Sequence, residues 1–171
     1  AQALSEVPVL GKFVKVITIR EYAEQNENTD VHLKTPGIAG TGDPELEQSL
    51  NTKYLEENKK LYEDFKDEVA QLEKGGGGHL GLESGYEVVT DTDRLLTLSR
   101  YVVESAGSSA ESRKYDTIDK INHIVITLPS LFSDDRYIQA ISDNIKEQMR
   151  QQMKDDPNKV YWVQQPGTEP D

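Results

Sequence analysis

The chain has 171 residues, 35% of them hydrophobic, and a net charge of −12 from 19 basic and 31 acidic side chains. That length suffices for one domain burying roughly 70% of its unfolded surface, and the charge repels nucleic-acid phosphates and anionic lipid while attracting basic proteins. Without cysteine there are no disulfides and no cysteine-based zinc sites, and no apolar run approaches the roughly 20 residues that span a bilayer.

The chain opens on Ala1-Gln2-Ala3 without an initiator methionine, as a processed product or a piece of a longer protein would. Lys12–Ile19 is rich in β-branched residues and predicts a strand, and Thr29–Lys34 predicts a second. Polar residues 24–28 predict the hairpin turn between them. Pro36, Gly37, Gly40 and Gly42 predict a loop.

A helix start follows. Asp43 suits the cap, Pro44 the first turn, and Glu45 and Glu47 the positive end of the helix dipole. Leu46, Leu50, Tyr54, Leu61, Phe65, Val69 and Leu72 recur at three- to four-residue spacing, broken by a polar gap at Asn58. That pattern predicts one buried stripe. Glu56 with Lys59 and Lys60 predicts solvated pairs on the opposite face. The run Gly75 to Gly78 stops the helix.

A meander comes next, with strands predicted at Tyr86–Thr90, Leu95–Glu104, Arg113–Ile118 and Asn122–Leu128. Asp91-Thr92-Asp93 predicts a turn, Ala106–Ala110 a small polar loop, and Asp119-Lys120 a tight connection. A second helix, capped by Ser133 or Asp134, carries the stripe Tyr137, Ile138, Ile141, Ile145 and Met149. Val160–Val163 is a further strand candidate. Together these elements predict an α+β fold: an antiparallel sheet with two long amphipathic helices packed on one face. The expected organisation is an N-terminal ββα segment, 1–78, and a C-terminal meander plus helix, 79–171, in one compact unit.

The residues point to no chemistry. His32 and His123 fall in strand patterns, and His79 lacks the helical partners of a zinc hydrolase. The glycine run lacks the Lys-Ser/Thr of a phosphate loop, and no Gly-x-Ser-x-Gly elbow is present. Asp91, Asp93, Asp116, Asp119, Asp134 and Asp135 lack the spacing of a calcium loop and read as turns and caps. The expectation is a non-enzyme with no metal site, no cofactor and no nucleic-acid partner.

Five segments in order carry a family resemblance: VPVLGKFVKVITIREY, LNTKYLEENKKLYEDF, SGYEVVTDTDRLLTLSRYVV, YDTIDKINHIVITLPSLFSDDRYI and ISDNIKEQMRQQM. They resemble the extracellular domain of RsiV-type anti-sigma factors, over nearly the whole chain. The first half also resembles a domain that precedes a deacetylase domain in some cell-wall enzymes. The second half resembles the small domain of unknown function that accompanies it, and neither is catalytic in that family.

The resemblance implies a single-pass membrane protein whose outer domain binds lysozyme in its active-site cleft. Binding then exposes a signal-peptidase site, and intramembrane proteolysis releases an extracytoplasmic-function sigma factor held by a cytosolic segment not in this chain. Carried over residue by residue, the lysozyme-binding loop is Gly107, Ser108 and Ser109. A second family contact, a Pro-Gly-Tyr segment, is expected beyond Asp171. The small-x-small pattern at Ala1 and Ala3 is the expected processing site, at the extracellular face of the membrane. Two other readings stay open: a noncatalytic wall-associated accessory of a polysaccharide deacetylase-type protein, and a pure lysozyme inhibitor.

Overall fold

The structure, a computed structural model, describes residues 14–163. The first unit, residues 1–126, holds the strands β1 (Lys15–Gln25), β2 (Thr29–Ala39), β3 (Leu80–Asp91), β4 (Leu95–Ala106), β5 (Ser108–Asp119) and β6 (Ile124–Ile126), with α1 (Pro44–Lys74) between β2 and β3. The six strands form one sheet in chain order. All neighbours run antiparallel except β2 and β3, which pair in parallel across the α1 crossover. The fold is α+β, as the sequence predicts. β2, from the expected segment 1–78, pairs directly with β3, from the expected segment 79–171.

α1 begins and ends where its sequence says. The Asp43 carboxylate accepts the N–H groups of Glu45 at 3.0 Å and Leu46 at 3.1 Å, which satisfies two donors that a helix start leaves orphaned. The last turn closes into the glycine run, where Gly77 N–H reaches Leu72 O at 3.0 Å. The predicted stripe faces the sheet: Leu50, Tyr54 and Phe65 are buried, and Leu46, Leu61, Val69 and Leu72 pack at the margins. The solvated pairs are Lys59–Glu63 and Lys60–Asp64 rather than pairs with Glu56.

Two apolar clusters lie under α1. Ile38, Leu50, Tyr54, Leu96, Leu98 and Ile118 form one, and Val31, Leu33, Phe65, Leu80 and Leu82 the other. The polar gap at Asn58 falls between them. There the sheet forks: β2 pairs β3 only from Thr29 to Leu33, then continues against β1 alone. Two asparagines of α1 satisfy the backbone groups the fork exposes. Asn58 Nδ2 donates to Lys34 O at 3.3 Å, Thr35 Oγ1 at 2.8 Å and Ser84 Oγ at 3.3 Å. Asn51 exchanges both amide bonds with the Ile38 backbone, at 2.7 and 3.0 Å. Buried backbone polar groups require such partners.

The fork also explains why Pro36 and Gly37 lie inside β2 rather than in the predicted loop. Past Leu33 no strand pairs with the β3 side of β2, so a residue without an N–H is tolerated there. A Cβ on Gly37 would come within 2.3 Å of Ile19 Cγ2, so glycine is what lets the β1 bulge between Thr18 and Arg20 close on β2.

β3, β4 and β5 exceed their predicted spans. β3 starts at Leu80, and β5 starts at Ser108 because the expected loop Ala106–Ala110 is a turn on Gly107. The predicted last strand shrinks to β6, since a turn over residues 120–123 takes up Asn122 and His123, the latter at φ 56°. His123 is therefore a turn residue and not a strand residue.

The second unit, residues 127–171, contains a short 3-10 helix at Pro129–Leu131 and α2 (Arg136–Asp155). The Asp134 carboxylate accepts the Arg136 N–H at 3.0 Å. Phe132 stacks on Tyr137 with ring centroids 4.3 Å apart. The apolar stripe of α2 is present, with Ile138 and Ile145 exposed. Val160–Val163 is not a strand; Tyr161 instead turns back to bond Met153 and Gln152.

Candidate functional site: the β4–β5 hairpin

β4 and β5 pair continuously from Leu95↔Asp119 to Ala106↔Ser108. Gly107 makes the turn at φ +74°, with no atom within 4 Å of where a Cβ would stand. This left-handed backbone suits glycine. The sequence-predicted residues Gly107, Ser108 and Ser109 thus come together at the tip, with both serines in β5. Ser109 Oγ lies 3.0 Å from Ser105 Oγ across the strands.

The outer and inner halves of the hairpin differ in character. β5 is exposed from Ser108 through Tyr115 and buried or half-buried from Asp116 to Asp119. β6 pairs only Thr117 to Asp119, so the outer half projects with one edge unpaired among the described residues. On the face away from α1, Arg113 knits the strands. It lies over the Tyr101 ring at 5.4 Å and donates to Glu87 at 3.0 Å, Ser99 at 3.3 Å and Glu111. Tyr101 in turn donates to Glu83 at 3.2 Å.

The root on the α1 side is a buried charge network. Arg100 Nε donates to Asp116 at 2.9 Å and Nη1 to Glu57 at 2.7 Å, with the guanidinium 4.4 Å over the Tyr54 ring. Lys53 donates to Asp116 at 2.8 Å, and Lys114 reaches Glu57 at 3.4 Å. Burial alone would raise the carboxyl pKa of Asp116. The hydrogen bonds and charges of Lys53 and Arg100 outweigh it and hold the group below its ordinary range. Burial opposes ionisation of Glu57 too, and Arg100 and Lys114 win there as well. Asp116 is thus a buried structural anion and not the turn or cap residue the sequence suggested.

At the end of β5, Asp119 is buried. It accepts Ile121 N–H at 2.9 Å, Asn122 N–H at 3.0 Å, Asn122 Nδ2 at 2.9 Å and Arg94 Nη2 at 3.2 Å. The Asn122 backbone bond is the largest influence, and its sum with the others brings the carboxyl to about 2. The charged groups of this geometry are engaged with one another, tying strand to strand and strand to α1. Among the described residues no group of three or more His, Asp or Glu could hold a metal ion. His32 is bound at 2.8 Å to Glu21. Ala1 and Ala3 lie outside the described residues.

No family model matches the chain. Two solved structures share the fold. A DUF3298 family protein from Pseudomonas aeruginosa PAO1 superposes with a TM-score of 0.56 at 13% identity, over 84% of this chain and 70% of that one. A DUF3298 family member from Bacteroides fragilis NCTC 9343 gives 0.54 at 16% identity, over 88% and 72%. Anti-sigma-V factor RsiV of Bacillus subtilis strain 168 is 48% identical over 170 residues, which is 99% of this chain and 59% of RsiV. The chain therefore spans about three-fifths of that relative's length. Identity at this level along essentially the whole chain supports an RsiV-type anti-sigma factor domain.

Proposed function

We propose that this chain is the outer sensor domain of a membrane-anchored anti-sigma factor, and that its β4–β5 hairpin tip enters the active-site cleft of lysozyme. The observation that carries the reading is the 48% identity to RsiV over 170 residues. The geometry supports it. A rigid pair of long strands presents Gly107, Ser108 and Ser109 at an exposed tip, where binding residues concentrate on other scaffolds. Small side chains let backbone groups approach a narrow groove, and serine hydroxyls can replace the hydrogen bonds of a sugar. The net charge of −12 attracts a strongly basic enzyme and speeds encounter at low salt.

In this reading lysozyme binding leads to cleavage by signal peptidase, with Ala1 and Ala3 forming the recognition end, and to release of a sigma factor held by a cytosolic segment. Among the described residues no helix is long and apolar enough to cross a membrane, so the anchor is assigned to sequence outside them.

Calorimetry of the whole extracellular region against lysozyme tests the proposal. Ser109→Glu places a charge at the interface centre and is expected to cost about 2–5 kcal/mol of affinity, with thermal unfolding unchanged. Wild-type affinity in a folded Ser109→Glu variant would place the binding surface elsewhere. In the full-length protein, Ala3→Trp should block lysozyme-triggered processing, and unchanged processing would remove Ala3 from the site.

A further inference from the structure

A groove between β1 and α1, on the helix side of the sheet, encloses about 130 Å³. Its walls are Leu33, Leu55 and the rings of Tyr22 and Tyr62. The two phenols sit 4.8 Å apart with their hydroxyls 2.8 Å from each other, and both bond Glu24. Their polar ends are therefore satisfied within the fold, and what they offer the groove is ring surface.

One cation lines this apolar space with no carboxylate partner among the described residues. Arg20 stands two residues before Tyr22 in regular pairing with β2 and so shares its face of β1, on the groove side. Among the described residues no carboxylate pairs with Arg20, although the chain carries 31 acidic side chains. Lys59 lines the same groove and is only loosely paired, 3.7 Å from Glu63. Asn58 is the third polar feature. Its Nδ2 is consumed by Lys34, Thr35 and Ser84, which leaves Oδ1 to accept a hydrogen bond from a visitor.

We propose that this groove binds the C-terminal residue of a peptide. The apolar side chain fills the space between Leu33, Leu55 and the tyrosines, the terminal carboxylate meets Arg20 with Lys59 nearby, and Asn58 Oδ1 accepts the peptide N–H. The volume holds one side chain and not a drug-sized molecule, whose sites run roughly 300–1,000 Å³. The pairing is the kind arginine forms best, charge-assisted and bidentate with a carboxylate. The groove lies on α1 and β1, apart from the hairpin tip, so the proposal stands independently of lysozyme binding.

The test is titration of the isotope-labelled domain with acetyl-glycyl-leucine, read by amide chemical shifts. Shifts are expected at Leu33, Thr35, Asn58 and Tyr62. Affinity should fall about tenfold or more for the C-terminal amide of the same peptide and for Arg20→Gln. Leu55→Glu, a change on the helix surface, should abolish the shifts while the rest of the spectrum stays native. Equal binding of acid and amide would overturn the carboxylate assignment. Equal binding of 4-methylpentanoate would overturn the peptide assignment, because it lacks the N–H for Asn58. Absence of shifts at millimolar peptide would overturn the site.

Discussion

Asp116→Asn tests whether buried charge holds the hairpin root to α1. The Asp116 side chain is 7% exposed and that of Arg100 10%, whereas Lys53 is 44% exposed. The substitution keeps the volume and removes the charge facing both cations. The bond from Arg100 is buried and charge-assisted, worth about 1.5–3 kcal/mol. The Lys53 contact is half in water and worth about 0–1 kcal/mol. Complete loss of a buried partner costs about 3–5 kcal/mol. Here Glu57 stays on Arg100 Nη1 and the asparagine oxygen still accepts, so the expected loss is about 2 kcal/mol. Urea unfolding at neutral pH measures it, with Lys53→Met as the control expected to lose no more than about 1 kcal/mol. The pH dependence supplies a second reading. A carboxyl whose folded pKa is lowered stabilises above its unfolded value, about 3.9, and loses that contribution as pH falls through the folded value. The wild type should therefore lose stability more steeply than the variant below about pH 4. An Asp116→Asn protein as stable as the wild type, or one no worse than Lys53→Met, would refute the reasoning.

Gly107→Ala should cost roughly 1–2 kcal/mol in unfolding experiments, from the left-handed backbone alone, since nothing stands near its added Cβ; no loss would mean the turn relaxes. Leu98→Ala, at a fully buried site, should cost about 2–5 kcal/mol in the same assay, and a smaller loss would show that the cluster collapses into the space. Asp119→Ala should raise hydrogen exchange at Ile121 and Asn122, which lose their acceptor. In the wild type the same loosening should appear only as pH falls from about 3.9 toward the folded value of about 2; protection that survives at lower pH would remove Asp119 as the cause.

α1 was legible because its signals agree at every level: cap, first-turn proline, stripe and glycine stop all lie in one short window. Six of the seven strand candidates were legible in place but not in length, and the seventh, Val160–Val163, is not a strand. β5 is exposed over most of its span and carries no apolar alternation to mark it, so only Gly107 betrays the turn. The division of β2 by Pro36 and Gly37 depends on which neighbour the strand has, which is tertiary information. The charge network was findable by parity. Arg100 shares its face of β4 with Leu96 and Leu98, and Asp116 shares its face of β5 with Ile118. A cation and an anion at core positions of adjacent strands predict one another. The gap at Asn58 could be read the same way: an amide in a buried stripe needs backbone to satisfy. Arg20 shares the face of Tyr22 by simple alternation, but the groove it lines depends on where α1 packs, which is tertiary information.

With the tip as the proposed binding site, the hairpin separates binding from folding by position along two strands. Between Leu95 and Leu98 on β4, and between Asp116 and Asp119 on β5, side chains are buried or half-buried and belong to the core and its ion pairs. From Ser108 to Tyr115 nothing is buried. A change at the tip therefore removes little apolar contact and leaves folding free energy almost untouched. What the root fixes is direction. α1 is tied to the hairpin by Lys53, through Asp116, and by Glu57, through Arg100 and Lys114. Loss of those ties should widen the range of angles at which the tip is presented while each strand stays paired. Affinity would then fall through lost preorganisation, with the tip residues unchanged. Glu57→Gln is the variant that separates the two effects: weaker lysozyme binding with an intact tip sequence and an intact sheet is the expected result, and unchanged affinity would mean the strand ladder alone sets the hairpin's direction.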